Sequence, residues 1–306
     1  MRLAFFGTPD FAVPSLRALL EEGFEVAAVV TQPDRPQGRS RSQLIPPPVK
    51  QVALEEGLEV LQPDRPYGPF ADVLRSLDLD IGIVVAYGHV FKPEILAIPR
   101  LGMLNVHASL LPRLRGAAPI AWSILNGDET TGVSIMQMEA GLDTGPVLHQ
   151  IETEVAADET AGELTERLAE LGAAALVEVL MLIEGGEAPA VPQDPGRATY
   201  APKVNREHAR LDWSRDAATL ARSVRAFDPE PGAWGQLGDL EVKLFGGRAT
   251  NQSGEPGTIL QTSESLIIAA GVGGLAVTEV QPAGKRRMPA GEWARGRGVA
   301  VGQRFA

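Results

Sequence analysis

The apolar run LGMLNVHAS ends in an asparagine and a histidine two residues apart, Asn105 and His107. Side chains two apart on a strand face the same side. An amide there can donate to a developing oxyanion and an imidazole can move a proton, a pairing suited to acyl-type transfer. The same histidine could instead do no more than satisfy a neighbouring loop carbonyl. A carboxylate able to orient or charge His107 lies in MEAGLDTGPV, where Asp143 stands between Gly141 and Gly145. An aspartate in a glycine turn is also the common Asx turn, and spacing does not separate the two readings. An acid, a histidine and an asparagine are the minimum set for moving a formyl or acyl group onto an amine.

A second chemistry-bearing stretch is RPQGRSRSQLIPPPVK, residues 35–50. It carries Arg35, Arg39, Arg41 and Lys50 and no acidic residue. Its Gly and Pro content predicts a long loop, and long loops are functional or simply mobile. Arginine near phosphate is a routine use. Charge is uneven along the chain. Residues 1–202 hold 14 Lys+Arg against 28 Asp+Glu, net −14, and residues 203–306 hold 14 against 11, net +3. A basic back half on an acidic chain suits a polyanionic partner met by one face, although +3 is also an ordinary value.

Other chemistries are excluded by what is missing. There is no cysteine, so there are no disulfides, thiolate nucleophiles or cysteine zinc sites, which fits a cytoplasmic protein. No two of the four histidines stand four residues apart, and no metal is expected. FFGTPDFAVP lacks the glycine spacing of a dinucleotide fingerprint and has a proline where a helix amide should face phosphate. No stretch reads as a membrane span or a secretory signal.

The elements that must position these residues follow from periodicity. The 306 residues suggest about two domains. RLAFFG, FEVAAVVTQ, LEVLQ, LDIGIVVAYG and LGMLNVHAS read as strands, with helical segments alternating between the earlier ones, which predicts an open, mostly parallel sheet with helices on both faces. TGVSIMQM and GPVLHQIETEV read as strands around a turn. A long amphipathic helix is expected over residues 160–184, opened by a capping box of Thr160 and Glu163. The Pro- and Gly-rich stretch that follows reads as a connector. After a helix near residues 214–227 come short β-like runs broken by glycine as far as Ala306, the pattern of a small β-barrel of OB type. The expected division is a catalytic domain over 1–189, a linker over 190–206 and a barrel over 207–306.

Several of these motifs, in order and over nearly the whole length, resemble the folate-dependent formyltransferases. They are FFGTPDFAVPSL, TQPDRPQGR with PPPVK, VVAYG, NVHASLLPRLRGAAPI and TGVSIMQMEAGLDTG. RAFDPEPGAW and QPAGKRRM are similar to the second domain of the branch that acts on methionyl-tRNA. Leu114 departs from the pattern, standing where an aromatic residue is expected between Arg113 and Arg115. The resemblance implies an α/β catalytic domain of Rossmann-like type. It implies 10-formyltetrahydrofolate as donor and the amine of initiator methionyl-tRNA as acceptor. Asn105 and protonated His107 would stabilise the oxyanion, and Asp143 would favour the charged imidazole and shuttle the amine proton through water. Ser109, Leu110, Leu111 and Pro112 would wall the folate. Arg39, Arg41, Lys285, Arg286 and Arg287 would meet tRNA phosphates. A monomer in the cytoplasm is expected. The rivals are a formyltransferase acting on a small amine, a formyl-folate hydrolase and a non-catalytic RNA-binding protein. The basic loop and second domain disfavour the first two, and the intact Asn105, His107 and Asp143 disfavour the third.

Overall fold

The computed structural model describes residues 1–37 and 43–306. The first elements are β1 (Arg2–Gly7), α1 (Val13–Glu21), β2 (Glu25–Val30), β3 (Arg35–Gln37), β4 (Gln43–Ile45), α2 (Pro48–Glu55) and β5 (Val60–Leu61). They are followed by α3 (Pro69–Ser76), β6 (Ile81–Val85), α4 (Pro93–Leu96), β7 (Met103–His107), α5 (Pro119–Asn126), β8 (Thr130–Gln137), β9 (Val147–Glu154) and α6 (Ala161–Gly185). Among the described residues, a seven-stranded sheet runs in the order β5-β2-β1-β6-β7-β8-β9. The first five strands of that order are parallel, and β8 and β9 close it antiparallel. Continuous apolar sequence at β1 and β6 is explained by burial: Phe5, Phe6, Ile83 and Val85 are sealed from solvent. The order turns back at β1, between β2 and β6, and open α/β sheets bind ligands beyond the carboxyl ends of strands near such a switch.

The stretch 35–50 is not one long loop. β3 and β4 pair antiparallel, with Arg35 opposite Ile45, and Pro48 already opens α2.

Two compact units emerge from packing. One comprises residues 1–116, 130–154 and 165–200, the other residues 117–129, 155–164 and 201–306. The second holds α7 (Ala217–Ala226), β10 (Ala233–Leu237), β11 (Leu240–Phe245), β12 (Arg248–Thr250), β13 (Ile259–Thr262) and β14 (Leu266–Ala269). It continues through β15 (Gly274–Val277), β16 (Glu279–Pro282), β17 (Met288–Pro289) and α8 (Ala290–Arg297). Its core gathers Leu220 and Val224 of α7, Val242 and Leu244 of β11, Ile268, Val277 and Trp293.

Two expectations change in this unit. The β-rich part forms two four-stranded sheets, β10-β11-β16-β17 and β12-β15-β14-β13, rather than one continuous closed ladder. The last stretch also contains a helix, α8, where only β-like runs were expected. Its glycines hide the helical pattern. A Cβ at Gly291 would come within 2.1 Å of the Ser263 carbonyl, so the helix packs on bare backbone there, burying Trp293 and Ala294.

The capping box forms as the sequence predicts. Thr160 donates to Glu163 from both its backbone N–H (2.9 Å) and its hydroxyl (2.8 Å), and its Oγ accepts from the Glu163 amide at 3.2 Å. Those donations, the backbone one first, hold the Glu163 carboxyl below the usual glutamate range. A carboxylate with a lowered native pKa stabilises the fold above its unfolded-state value and loses that contribution as pH falls through the native value. Thr160→Ala should therefore cost about 1 kcal/mol at neutral pH and less in acid, read from urea denaturation midpoints at the two conditions.

Candidate active site

β7 carries the two groups to the sheet's carboxyl edge. Val106, between them, points toward α6: a Cβ at Gly172 would lie 2.8 Å from its Cγ1. Asn105 and His107 therefore share the opposite face. Asn105 is half-buried and pairs across to Met136, and His107 is buried opposite Ser134. The His107 Nε2 lies 3.0 Å from the Leu114 carbonyl. A carbonyl has no proton to give, so Nε2 carries one. In the neutral ring the lone pair then sits on Nδ1. That Nδ1 faces the Asp143 Oδ2 at 3.8 Å. His107 thus satisfies a loop carbonyl with one nitrogen and presents the other to a carboxylate.

Asp143 stands in the β8–β9 turn with φ +51°, a left-handed conformation rare for a residue with a side chain. Its Oδ2 accepts from the Gly116 amide at 2.8 Å. The glycine two residues on has a steric reason, since a Cβ at Gly145 would fall 1.9 Å from the Gln137 carbonyl. The turn is held from a distance as well. Gln193 Nε2 donates to the carbonyls of Asp143 (2.9 Å) and Gly145 (2.7 Å), and its Oε1 accepts from Arg115 Nε and Nη2 at 3.1 and 2.7 Å.

The loop Ser109, Leu110, Leu111, Pro112 is ordered by polar groups beneath it. The Ser134 hydroxyl donates to the Ser109 carbonyl at 2.6 Å and accepts from the Leu111 amide at 3.0 Å. Gln150 Nε2 donates to the Leu111 carbonyl at 3.0 Å and to Ser134 Oγ at 2.8 Å. Ser109 Oγ donates to the Arg113 carbonyl at 2.6 Å. Leu111 is buried and Leu110 partly exposed, so the loop offers an apolar wall on a rigid backbone. Ser134, Gln150 and Gln193 escaped sequence reasoning. Only Ser134 left a trace there, as a lone polar residue inside the apolar strand VSIM.

The basic residues divide. Lys50 is taken up by Asp34 at 2.8 Å and Gln62 at 2.7 Å, and Arg35 bonds Gln32. The hydrogen bond from Lys50, and after it one from Gln62 Nε2 to Asp34 Oδ1 at 2.8 Å, draw the Asp34 carboxyl below its ordinary range. Arg39 and Arg41 lie outside the described residues. Lys285 and Arg286 are exposed. Arg287 is engaged: it bonds the buried Asp228 at 2.8 Å and Glu279 at 2.9 Å, with its guanidinium 4.1 Å from the centre of the Phe245 ring. Burial opposes its charge, but the two carboxylates outweigh that and raise its pKa further. The pair Asp228–Arg287 ties RAFDPEPGAW to QPAGKRRM. Among the described residues, no group of three or more His, Cys, Asp or Glu side chains could hold a metal ion, and no helix is long and apolar enough to cross a membrane.

Comparison with known proteins places the chain in a family. The family model described as formyl transferase matches residues 1–180, and that for the formyl transferase C-terminal domain matches residues 203–298. A methionyl-tRNA formyltransferase from Halorhodospira halophila is 47% identical over 99% of this chain and 98% of its own. One from Citrifermentans bemidjiense is 45% identical over 97% and 93%. Among solved structures, HypX from Aquifex aeolicus in complex with tetrahydrofolic acid shares the fold, with a TM-score of 0.70 at 21% identity over 98% of this chain. This chain spans about half of that protein's length, 48%. With two domain families matched in order and near-full-length relatives at this identity, the chain belongs to the methionyl-tRNA formyltransferases.

Proposed function

We propose that this enzyme performs its family's reaction through Asn105, His107 and Asp143. The reaction transfers the formyl group of 10-formyltetrahydrofolate to the amine of methionine on initiator tRNA, the formylation used in translation initiation. The observation that carries the assignment is the approach of His107 Nδ1 to Asp143 Oδ2 at the carboxyl end of β7. The amine attacks the formyl carbon and a C–N bond forms, leaving an oxyanion on a tetrahedral centre. The Asn105 amide and the protonated His107 stabilise that oxyanion, each well-placed donor being worth roughly 2.7–4 kcal/mol. Asp143 sets its carboxylate beside the imidazole and takes the amine proton through water. Collapse of the centre breaks the bond to N10 of the folate, which leaves with a proton.

Ser109, Leu110, Leu111 and Pro112 are assigned to one wall of the folate pocket. Their backbone is already bonded to Ser134 and Gln150, which favours a rigid surface for a flat ring. The presence of tetrahydrofolic acid in the HypX structure supports the donor class. The C-terminal domain, residues 207–306, is assigned to tRNA, with residues 190–206 as its linker. An OB-type closure of its two sheets is supported by single bridges from Phe305 to Leu237 and from Arg304 to Thr258. Arg39, Arg41, Lys285 and Arg286 are assigned to phosphate, giving affinity and register, while the Arg287 guanidinium is occupied by Asp228 and Glu279 and is left out of that set. The enzyme is assigned to the cytoplasm as a monomer.

Single replacement of Asn105, His107 or Asp143 by Ala should lower turnover by ~10²-fold or more with small effects on tRNA affinity. Near-normal turnover of His107→Ala on saturating substrates would disprove the assigned chemistry. A salt titration of tRNA binding tests the basic residues, since each neutralised phosphate releases condensed counterion. Arg39→Ala/Arg41→Ala should lower efficiency with methionyl-tRNA while leaving folate binding intact. Removing charge at Lys285 and Arg286 should flatten the salt slope. Wild-type slopes in both variants would refute the phosphate contacts.

A further inference from the structure

We infer that Gln193 is a positioning residue for the reaction, setting the Asp143 carboxylate against His107 from a segment fifty residues away in sequence. This rests on the reading of Asp143 given above. Residues 139–142 of the β8–β9 turn are exposed and pack against little. Asp143 itself is in a left-handed conformation, so its backbone could relax unless held. Two carbonyls of this turn, those of Asp143 and Gly145, accept from the single Gln193 amide nitrogen. The Gln193 oxygen in turn is fixed by two nitrogens of Arg115. Arg115 is 4% exposed. Among the described residues it has no carboxylate partner, so the Gln193 oxygen is what satisfies those two nitrogens.

Neighbouring contacts extend the clamp. The Val191 and Val147 backbones exchange two hydrogen bonds of 2.9 Å. The Thr199 carbonyl accepts from the Arg115 amide at 2.9 Å, and its hydroxyl from the Leu114 amide at 2.8 Å. Leu114 is the residue whose carbonyl meets His107 Nε2. Residues 191–199 therefore hold both sides of the pair, the loop that orients the imidazole and the turn that carries the carboxylate. An amide is the one side chain of this length that serves here. It must accept from a cation at one atom and donate to two carbonyls at the other. A glutamate would keep the first role and set a carboxylate against two carbonyls in the second.

The test is kinetic, with methionyl-tRNA and 10-formyltetrahydrofolate, on Gln193→Met, Gln193→Glu, Asp143→Asn and the double variant Gln193→Met/Asp143→Asn, with Tm for each. A displacement of about 1 Å at a reacting group costs on the order of 10²-fold. Gln193→Met should lower kcat by about 10- to 100-fold and change either KM by less than about threefold. Gln193→Glu, which keeps the Arg115 contact, should lose a similar factor. In the Asp143→Asn background Gln193→Met should change kcat less than about twofold, because groups that act through one another are non-additive. Wild-type kcat in Gln193→Glu overturns the inference, and that variant decides should Gln193→Met not fold. An equal loss in both Asp143 backgrounds also overturns it, marking a role in stability alone. Wild-type turnover in Asp143→Asn by itself removes the underlying reading of the site, a result distinct from either of these.

Discussion

A carboxylate held 3.8 Å from a buried imidazole is a relationship that neither group can maintain alone. The imidazole belongs to a strand in the middle of a sheet and is rigid for that reason. The carboxylate belongs to a turn, and a turn has few partners of its own. Much of the chemistry-bearing half of the fold is arranged around this asymmetry. β8 runs antiparallel beside β7 with Gln137 opposite Leu104, so the β8–β9 turn leaves at the amino end of β7 and Asp143 reaches back to His107. Gly145 lets the turn approach the Gln137 carbonyl. The Gly116 amide then fixes one carboxylate oxygen. Parallel strands alone could not supply such a turn, because their connections must cross the sheet.

Burying so much backbone demands that its polar groups be paired. The loop after β7 meets that demand with side chains from the neighbouring strands. Ser134 and Gln150 stand in for the next strand's ladder under Ser109 and Leu111. The result is a loop nearly as constrained as a strand, with Leu111 buried and Leu110 partly exposed. The distribution of charge is a separate constraint. The catalytic half of the chain carries most of the negative charge, and some of the chain's cations are neutralised within the fold. Lys50 is balanced by Asp34, and Arg287 by Asp228 and Glu279. Lys285 and Arg286 are exposed.

Local sequence was enough to determine most of the architecture. Alternating strand and helix patterns, the fully apolar runs, the capping box at Thr160 and the pairing of strands around the Asp143 turn are each properties of a short window. They reflect periodicity, burial and torsional preference, all of which a chain expresses within about ten residues. The polar residues at the end of β7 were legible for the same reason, because Asn105 and His107 interrupt an apolar run. α8 was not, since its glycines serve close packing and mask the helical period.

Tertiary structure decided what no window contains. Which nitrogen of His107 carries the proton in the neutral ring depends on the Leu114 carbonyl, seven residues away across a loop. Whether Arg287 offers free charge depends on Asp228, fifty-nine residues earlier. Gln193 lies in a stretch that reads as linker, yet it reaches Arg115 and Asp143, seventy-eight and fifty residues distant. A hydrogen bond depends on distance in space and leaves no periodic mark on the sequence. Residue types could therefore nominate candidate groups, and only the folded chain could show what holds them in place.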